Sequence, residues 1–166
     1  VPPVSEPGLD DLIREGINAE RLRFTTNAKI AISSAEVLWV AYDTPVDEND
    51  QADVEFVFEE VLKTLPFLSI NTTVLVSSQL PVGSIKRFED ISAEKYPEKK
   101  LRFSYSPENL RLGQSLDVFL HPDRVVVGIR CPEDREILGR LLGPITDNIL
   151  WMSVESAEMT KHAINA

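Results

Sequence analysis

The sequence predicts an α/β fold with a mostly parallel sheet and flanking helices. Two observations support this prediction. Strand-like apolar runs alternate with segments of helical periodicity along nearly the whole chain, and the links between them are short. The runs are also nearly continuous in apolar residues, as expected of parallel strands that are covered on both faces. With 166 residues, 43% of them hydrophobic, the chain can form one domain with a substantial core.

Five segments are predicted to be strands because each is a short apolar run rich in β-branched or aromatic residues. In chain order they are EVLWVAY, TTVLVSS, LRFSYS, RVVVGI and NILWM, at 36–42, 72–78, 101–106, 124–129 and 148–152. Helical segments and short links between them favour right-handed crossovers within one sheet.

Five segments are predicted to be helices from the spacing of their apolar residues. The first, 8–17, places four of them on one face: Leu9, Leu12, Ile13 and Ile17. The others span 53–65, 83–96, 132–145 and 153–166. Two of these have start signals, because Pro132 suits a first helical position and Ser153 is a good N-cap.

The composition excludes several classes of function. The net charge is −10 and no basic block is present, so neither nucleic acid nor an anionic membrane surface is an expected partner. No apolar run reaches the roughly 18–20 residues of a membrane span, and residues 1–11 do not resemble a signal peptide. Cys131 has no second cysteine to pair with, which fits a cytoplasmic location. His121 and His162 are too far apart in sequence to suggest a metal site.

The candidate site lies after the first three strands, because ligands of open α/β sheets bind beyond the carboxyl ends of the strands. The segments there are 43–53, 77–84 and 106–113. The turns at Thr44-Pro45 and at PVGS (81–84) could leave N–H groups and a hydroxyl free near a helix N-terminus, which suits a phosphate or a ribose. The alternative is that proline and glycine simply make tight turns there. The acidic loop before residue 53 is expected to supply an N-cap.

Several side chains are candidates for chemistry. Glu108 could act as a general base if it is partly buried, and is otherwise a loop carboxylate. Lys161 and Asn165 share a helix face and could stabilise a developing alkoxide, although such pairs are commonly surface decoration. Cys131 lies at a helix start, which favours a thiolate, but no histidine is near it in sequence, so we interpret it as structural. His162 lies about 100° around the helix from Lys161 and is interpreted as a packing or rim residue.

Five ordered motifs cover nearly the whole chain. They are EPGLDDLI (6–13), VAYDTPVDENDQAD (40–53), SSQLPVGS (77–84), SPENLRLG with HPDRVVVG (106–113 and 121–128), and SAEMTKHAINA (156–166). Together they resemble the UDP-glucose/GDP-mannose dehydrogenase family. The resemblance implies a Rossmann-like domain that binds NAD. It also implies oxidation of the C6 alcohol of a nucleotide sugar, of the UDP-glucose or GDP-mannose type, to a carboxylate with two hydride transfers to NAD.

The resemblance also implies roles for individual residues. Glu108 would assist acid–base chemistry and the attack of water on a thioester, while Lys161 and Asn165 would hold the substrate oxygen and the water. The residues expected beside the sugar are Glu108, Asn109, Leu110, Arg111, Leu112, Lys161 and Asn165, and those expected beside NAD are Thr44, Gln79 and Leu112.

Four positions depart from the family pattern. Asp43 replaces a glycine, Gln79 a threonine, Asn109 a phenylalanine and Leu112 a second glutamate. One alternative is therefore a UDP-hexosamine dehydrogenase, although ENLR keeps the Leu-Arg of the glucose and mannose pattern. A second alternative, motivated by Asp43, Gln79 and Leu112, is a non-catalytic nucleotide-binding or assembly domain with the same fold.

The resemblance also predicts the domain organisation. The chain has no G-x-G-x-x-G motif and starts on a helix, so the first Gly-rich βαβ unit is expected to be missing. Residues 1–152 would be a partial NAD-binding domain and 153–166 the start of a central connecting helix. The chain alone is expected to be inactive. The whole protein is expected to form a homodimer or larger assembly through that helix, where Met159, Ala163 and Ile164 would expose apolar surface.

Overall fold

The structure is a computed structural model that describes residues 6–45, 48, 52–108, 110 and 113–165, without the side chains of 161–165. The expectations for Asn109, Arg111 and Leu112 lie outside the described residues. The same holds for the side chains of Lys161 and Asn165.

The five predicted strands form one sheet. They are β1 (Val37–Val40), β2 (Thr73–Val76), β3 (Arg102–Tyr105), β4 (Val125–Ile129) and β5 (Ile149–Ser153), and they lie side by side in chain order. β1–β2, β2–β3 and β4–β5 are parallel pairs, so the prediction of a mostly parallel sheet is confirmed.

One junction of the sheet is not parallel, and the sequence did not predict which one. β3 and β4 are antiparallel, paired through Tyr105 and Gly128. The connection between them joins two strand ends on the same side of the sheet, so β4 and β5 run opposite to β1–β3. We call the side where β1, β2 and β3 end the carboxyl rim, and the opposite side the amino rim.

Seven α-helices accompany the sheet in the described part of the chain. They are α1 (Leu9–Asn18), α2 (Ala28–Ile32), α3 (Val54–Thr64), α4 (Ser84–Lys95), α5 (Ser115–Leu120), α6 (Pro132–Leu142) and α7 (Val154–Asn165). All five predicted helices are confirmed. The two short helices, α2 and α5, were not predicted.

The core has a layer on each face of the sheet. On one face α3, α4 and α7 pack together, with the ring of Phe88 stacked between Phe58 at 4.3 Å and Phe103 at 5.9 Å between centroids. On the other face Leu138 and Leu142 of α6 pack on the sheet. β2 is buried along its whole length, as its continuous apolar run predicts.

Helix α1 is amphipathic as predicted, but it has no buried residue. Leu12 is 44% exposed and Ile17 is 47% exposed. The apolar face read from the sequence is therefore real, and it lies on the surface of the molecule.

Side chains cap the helices where the sequence places them. The Asp53 side chain accepts a hydrogen bond from the N–H of Phe56 at 3.0 Å, and the Ser153 hydroxyl accepts one from the N–H of Ser156 at 3.3 Å. Pro132 is the first residue of α6. These caps satisfy N–H groups that a helix cannot satisfy internally.

Candidate active site

Three loops meet at the carboxyl rim because the first three strands end level with one another. Val40 pairs with Val76, which in turn pairs with Tyr105. The segments that follow the strands, 41–45, 77–83 and 106–110, therefore start side by side. Thr44, Gln79, Glu108 and Leu110 all lie on these segments, as the sequence predicts.

Hydrogen bonds join the first two loops. The Thr44 hydroxyl donates to the carbonyl oxygen of Gln79 at 2.9 Å, and the Ser78 hydroxyl donates to the carbonyl oxygen of Tyr42 at 2.7 Å. The expectation that this loop keeps a free hydroxyl is thus wrong for Thr44 as a donor, because its proton is used in the bond to Gln79. The hydroxyl oxygen can still accept a hydrogen bond. The side chain of Gln79 is exposed.

The expected open helix N-termini are also absent among the described helices of this rim. At the start of α4, the N–H groups of Gly83 and Ile85 each donate to a carboxylate oxygen of Glu158, both at 2.9 Å. At the start of α3, Asp53 is the cap. The PVGS turn therefore forms an intramolecular contact with α7, and the N–H groups of Gly83 and Ile85 are not available to a phosphate.

Helix α7 starts at the amino rim and runs back towards the carboxyl rim. Because β5 runs antiparallel to β3, β5 ends at the amino rim, and α7 runs back along the sheet. Val154 and Ala157 are completely buried in this packing, and Glu158 is 1% exposed. Thr160 then lines the same cavity as Ser106 and Glu108 of the loop that follows β3. Positions 161 and 165 lie one residue and five residues further along the helix.

The cavity at this rim has a volume of about 440 Å³. Its wall is mostly apolar and includes Leu110, Phe119 and Trp39. The rings of Trp39 and Phe119 lie 6.0 Å apart between centroids. Polar residues also line the cavity, namely Ser77, Ser106, Glu108, Arg124 and Thr160. An apolar slot with a few convergent polar groups is the usual form of a small-molecule site.

Glu108 is exposed at the mouth of this cavity, so the partial burial that would favour a general base is not present in this chain. One of its carboxylate oxygens, Oε1, accepts a hydrogen bond from the N–H of Leu110 at 2.9 Å. This bond fixes the direction of the carboxylate relative to its own loop, and Leu110 is 39% exposed beside it.

A second carboxylate holds the far end of the same loop. Oε1 of Glu6 accepts from the N–H of Gly113 at 2.5 Å, and Oε2 accepts from the N–H of Ser115 at 3.2 Å. Gly113 has φ of +84°, which favours glycine. The EPGL segment is thus tied to the loop over more than a hundred residues of sequence.

Tyr105 lies directly beneath the loops. Its side chain is completely buried, and burial, together with the nearby carboxylates of Glu158 and Glu108, raises its pKa to about 12. The phenol therefore stays neutral near pH 7.

Cys131 lies away from these groups, at the amino rim. It borders a second cavity of about 370 Å³ with Arg102 and Asp134. Its thiol donates to Oδ2 of Asp134 at 3.2 Å, and burial raises its pKa. The thiolate expected from its position at a helix start is therefore disfavoured. Asp134 is completely buried and also accepts a hydrogen bond from Nε of Arg102 at 2.8 Å. These contacts support the interpretation of Cys131 as a structural residue.

The described ranges contain no cluster of three or more histidine, cysteine, aspartate or glutamate side chains that could hold a metal ion. None of their helices is long and apolar enough to cross a membrane.

Residues 1–146 match the model of the UDP-glucose/GDP-mannose dehydrogenase family, NAD binding domain. The chain belongs to this family. The match covers most of the chain and contains four of the five motifs, since the fifth (156–166) lies beyond it.

Named relatives support the same assignment. The UDP-glucose 6-dehydrogenase of Pseudomonas aeruginosa is 33% identical over 99% of this chain and 38% of its own length. A solved UDP-glucose dehydrogenase from Pyrobaculum islandicum is 27% identical, with a TM-score of 0.86 over 99% of this chain and 39% of its own. A ternary complex of GDP-mannose dehydrogenase from Pseudomonas aeruginosa, 24% identical over 98% of this chain and 39% of its own, shares the fold with a TM-score of 0.89. The chain therefore spans about two fifths of the length of these family members.

Glu6 and Glu158, which hold the site together, are not predicted by the sequence. They lie inside the motifs EPGL and SAEMTK, which carry no signal for this role. Their partners are backbone N–H groups far away in the sequence, which leave no pattern of residue types.

Proposed function

We propose that the whole protein is an NAD-dependent nucleotide-sugar 6-dehydrogenase that oxidises the C6 alcohol of a UDP-glucose-type substrate to a carboxylate. Family membership and the 33% identical UDP-glucose 6-dehydrogenase of Pseudomonas aeruginosa support the proposal. One observation carries it for this chain. Glu108 of the loop after β3 and Thr160, the residue before Lys161 on α7, border a single cavity.

The cavity is proposed to take the nicotinamide half of NAD. The apolar wall formed by Trp39, Leu110 and Phe119 suits a flat nicotinamide ring, and Thr44 and Gln79 lie at the same rim for the ribose. The pyrophosphate has no cradle among the described residues, because Glu158 and the cap of α3 occupy the helix N-termini here. We infer that residues outside this chain hold the pyrophosphate. Bound NAD would supply the hydride acceptor for the oxidation at C6.

The reaction requires groups that move protons and hold oxygen. Oxidising a CH₂OH group to a carboxylate with one water releases two hydrides and three protons. Glu108, oriented by the N–H of Leu110, is the group proposed to accept protons at this rim. Lys161 and Asn165 are proposed to hold the substrate oxygen and the attacking water, where a cation and an amide stabilise developing negative charge.

The loop from Glu108 to Leu112 is proposed to run beside the sugar and to contact it through Asn109, Leu110 and Arg111. Cys131 is not proposed as a nucleophile. It lies at the amino rim and its thiol has a raised pKa. A thioester-forming cysteine would therefore come from a part of the protein outside this chain.

One observation favours the alternative of a non-catalytic nucleotide-binding or assembly domain. Asp43 and Gln79 replace the small residue and the hydroxyl of the family pattern, and both are exposed at the rim where NAD would lie. A domain of this kind would bind a nucleotide without turning over a sugar. A UDP-hexosamine substrate is the alternative within the enzyme class.

The deciding experiment follows NADH absorbance in the whole protein with UDP-glucose, GDP-mannose and the UDP-hexosamines. We expect two NADH per UDP-glucose, a loss of at least about 100-fold in kcat in Lys161→Ala, and wild-type kcat in Lys63→Ala. Lys63 is an exposed lysine of α3, paired with Glu60. NAD binding without NADH formation from any of these sugars would reject the dehydrogenase proposal and favour the non-catalytic one.

We also propose a homodimer or larger assembly through α7, on which Met159 is 53% exposed. The protein is proposed to act in the cytoplasm, where the thiol of Cys131 would stay reduced.

A further inference from the structure

Glu158 is a carboxylate held inside the molecule with no part in the chemistry proposed above. Its residue is 1% exposed. Burying a carboxylate is costly unless hydrogen bonds replace the lost water. Two backbone donors do so here, since Oε2 accepts from Gly83 and Oε1 from Ile85, each at 2.9 Å.

These donors are at the first turn of α4. Gly83 is the N-cap residue of α4 and has φ of +92°. Because it is a glycine, it has no side chain that could cap the helix. The N–H groups of a first helical turn have no partner within the helix, and the positive end of the helix dipole favours a negative group beside them. Glu158 thus caps α4 from another helix, 73 residues beyond Ile85 in the sequence.

The same carboxylate sets the rotation of α7. At 3.6 residues per turn, positions 161 and 165 lie about 60° and about 20° around the helix axis from position 158. They therefore share the face that Glu158 fixes, and position 161 lies about 4.5 Å further along the axis. Turning α7 about its axis would break both hydrogen bonds of Glu158.

Two other contacts fix the earlier part of α7 but lie further from positions 161 and 165. A Cβ atom placed on Gly128 of β4 would be 2.7 Å from Cβ of Ala157, so the helix rests directly on the strand. Arg130 binds Glu155 of α7 at 2.5 Å and Glu89 of α4 at 2.8 Å. Glu158 lies nearer to the positions proposed for catalysis than either of these two contacts.

We infer that Glu158 is a positioning residue that locks α7 to α4 and thereby sets positions 161 and 165 against the loops of the carboxyl rim. This inference rests on the proposed function for its catalytic part only. The lock itself is a property of the described structure.

The experiment compares Glu158→Gln, Glu158→Ala and Glu94→Gln in the whole protein. Glutamine keeps the shape and one acceptor oxygen, whereas alanine removes the acceptor of both N–H groups, of which that of Ile85 is in a buried residue. Glu94 is an exposed residue in the last turns of the same helix α4, so Glu94→Gln is the matched control. Hydrogen exchange is followed by mass spectrometry in peptides covering 80–90 and 154–165, together with kcat and KM for the nucleotide sugar.

We expect faster exchange in both peptides in Glu158→Ala, with a smaller change in Glu158→Gln and none in Glu94→Gln. We expect kcat to fall by about 10- to 100-fold in Glu158→Ala while KM changes less than about threefold, because a small misplacement of catalytic groups acts on the reacting state. Glutamine should restore part of kcat.

Unchanged exchange in Glu158→Ala would reject the lock, whether or not the wild type oxidises a sugar. Faster exchange with wild-type kcat, or a rise in KM alone, would reject the positioning role. A wild type that makes no NADH from any sugar would reject the proposed function and, with it, the catalytic part of this inference, and the exchange result would still decide the lock.

Discussion

Tyr105 combines burial with a titratable group at the base of the candidate site. Its hydroxyl is 3.5 Å from the carbonyl oxygen of Ser78, and the surroundings raise its pKa to about 12 from an ordinary value of 10.0. The neutral phenol is therefore favoured in the folded state. A group with a raised folded pKa holds more protons in the fold than in the unfolded chain between these two values.

Stability should consequently fall as the pH rises from 10 to 12. We expect the free energy of unfolding of the wild-type chain to lose about 2–3 kcal/mol more than that of Tyr105→Phe over this interval. Urea unfolding at several pH values measures the difference. Parallel pH curves for the two chains would show that the phenol is not perturbed in this way.

At the same scale, the sequence located the candidate site but not its internal bonds. Thr44, Gln79, Glu108 and Leu110 come together because parallel strands end on one side, which apolar runs reveal. The bonds made by Glu6 and Glu158 could not be predicted, because any residue except proline supplies an N–H group.

At the scale of elements, α7 and β4 approach so closely that the contact requires a glycine at position 128. A Cβ on Gly128 would lie 2.7 Å from Cβ of Ala157 and 2.8 Å from Cα of Val154. Gly139 of α6 offers a matched comparison, because the nearest atom to its added Cβ would be in the side chain of Trp151 at 3.9 Å.

We expect Gly128→Ala to lower the free energy of unfolding by about 1–3 kcal/mol, because helix and strand must separate. Gly139→Ala should raise it by about 0.5–1 kcal/mol, since glycine is a poor residue inside a helix. Urea unfolding of both variants tests the pair. Equal effects of the two substitutions would mean that α7 can move away from β4 freely.

The elements that the sequence missed are the short or direction-dependent ones. α2 covers Ala28–Ile32 and α5 covers Ser115–Leu120, too few residues for a helical period to stand out. The reversal between β3 and β4 was missed for a different reason. Strand direction depends on which sides of the sheet a connection joins, and an apolar run of either direction looks the same.

At the scale of the whole molecule, several apolar side chains of the described residues are open to solvent. They include Leu12 and Ile17 on one face of α1, and Met159 of α7. Surfaces of this kind favour association. We expect the 166-residue chain to self-associate at micromolar concentrations in sedimentation velocity experiments.

Leu12→Glu with Ile17→Glu, and separately Met159→Glu, should each reduce this association without lowering the melting temperature, because none of the three side chains is in the core. Asn18→Glu, on exposed α1, adds a charge without removing apolar surface and is the control. If Asn18→Glu reduced association equally, repulsion between chains of net charge −10 would be the cause instead.

The contact between Glu158 and α4 depends on residue type on one side only. One side is a particular side chain, whereas the other is main chain that any sequence with the same turn provides, with glycine at 83 for its φ of +92°. An α7 segment transplanted from another family member would therefore keep this bond if it carried the glutamate. No compensating substitution in α4 would be needed, so this junction is a natural place to build chimaeras.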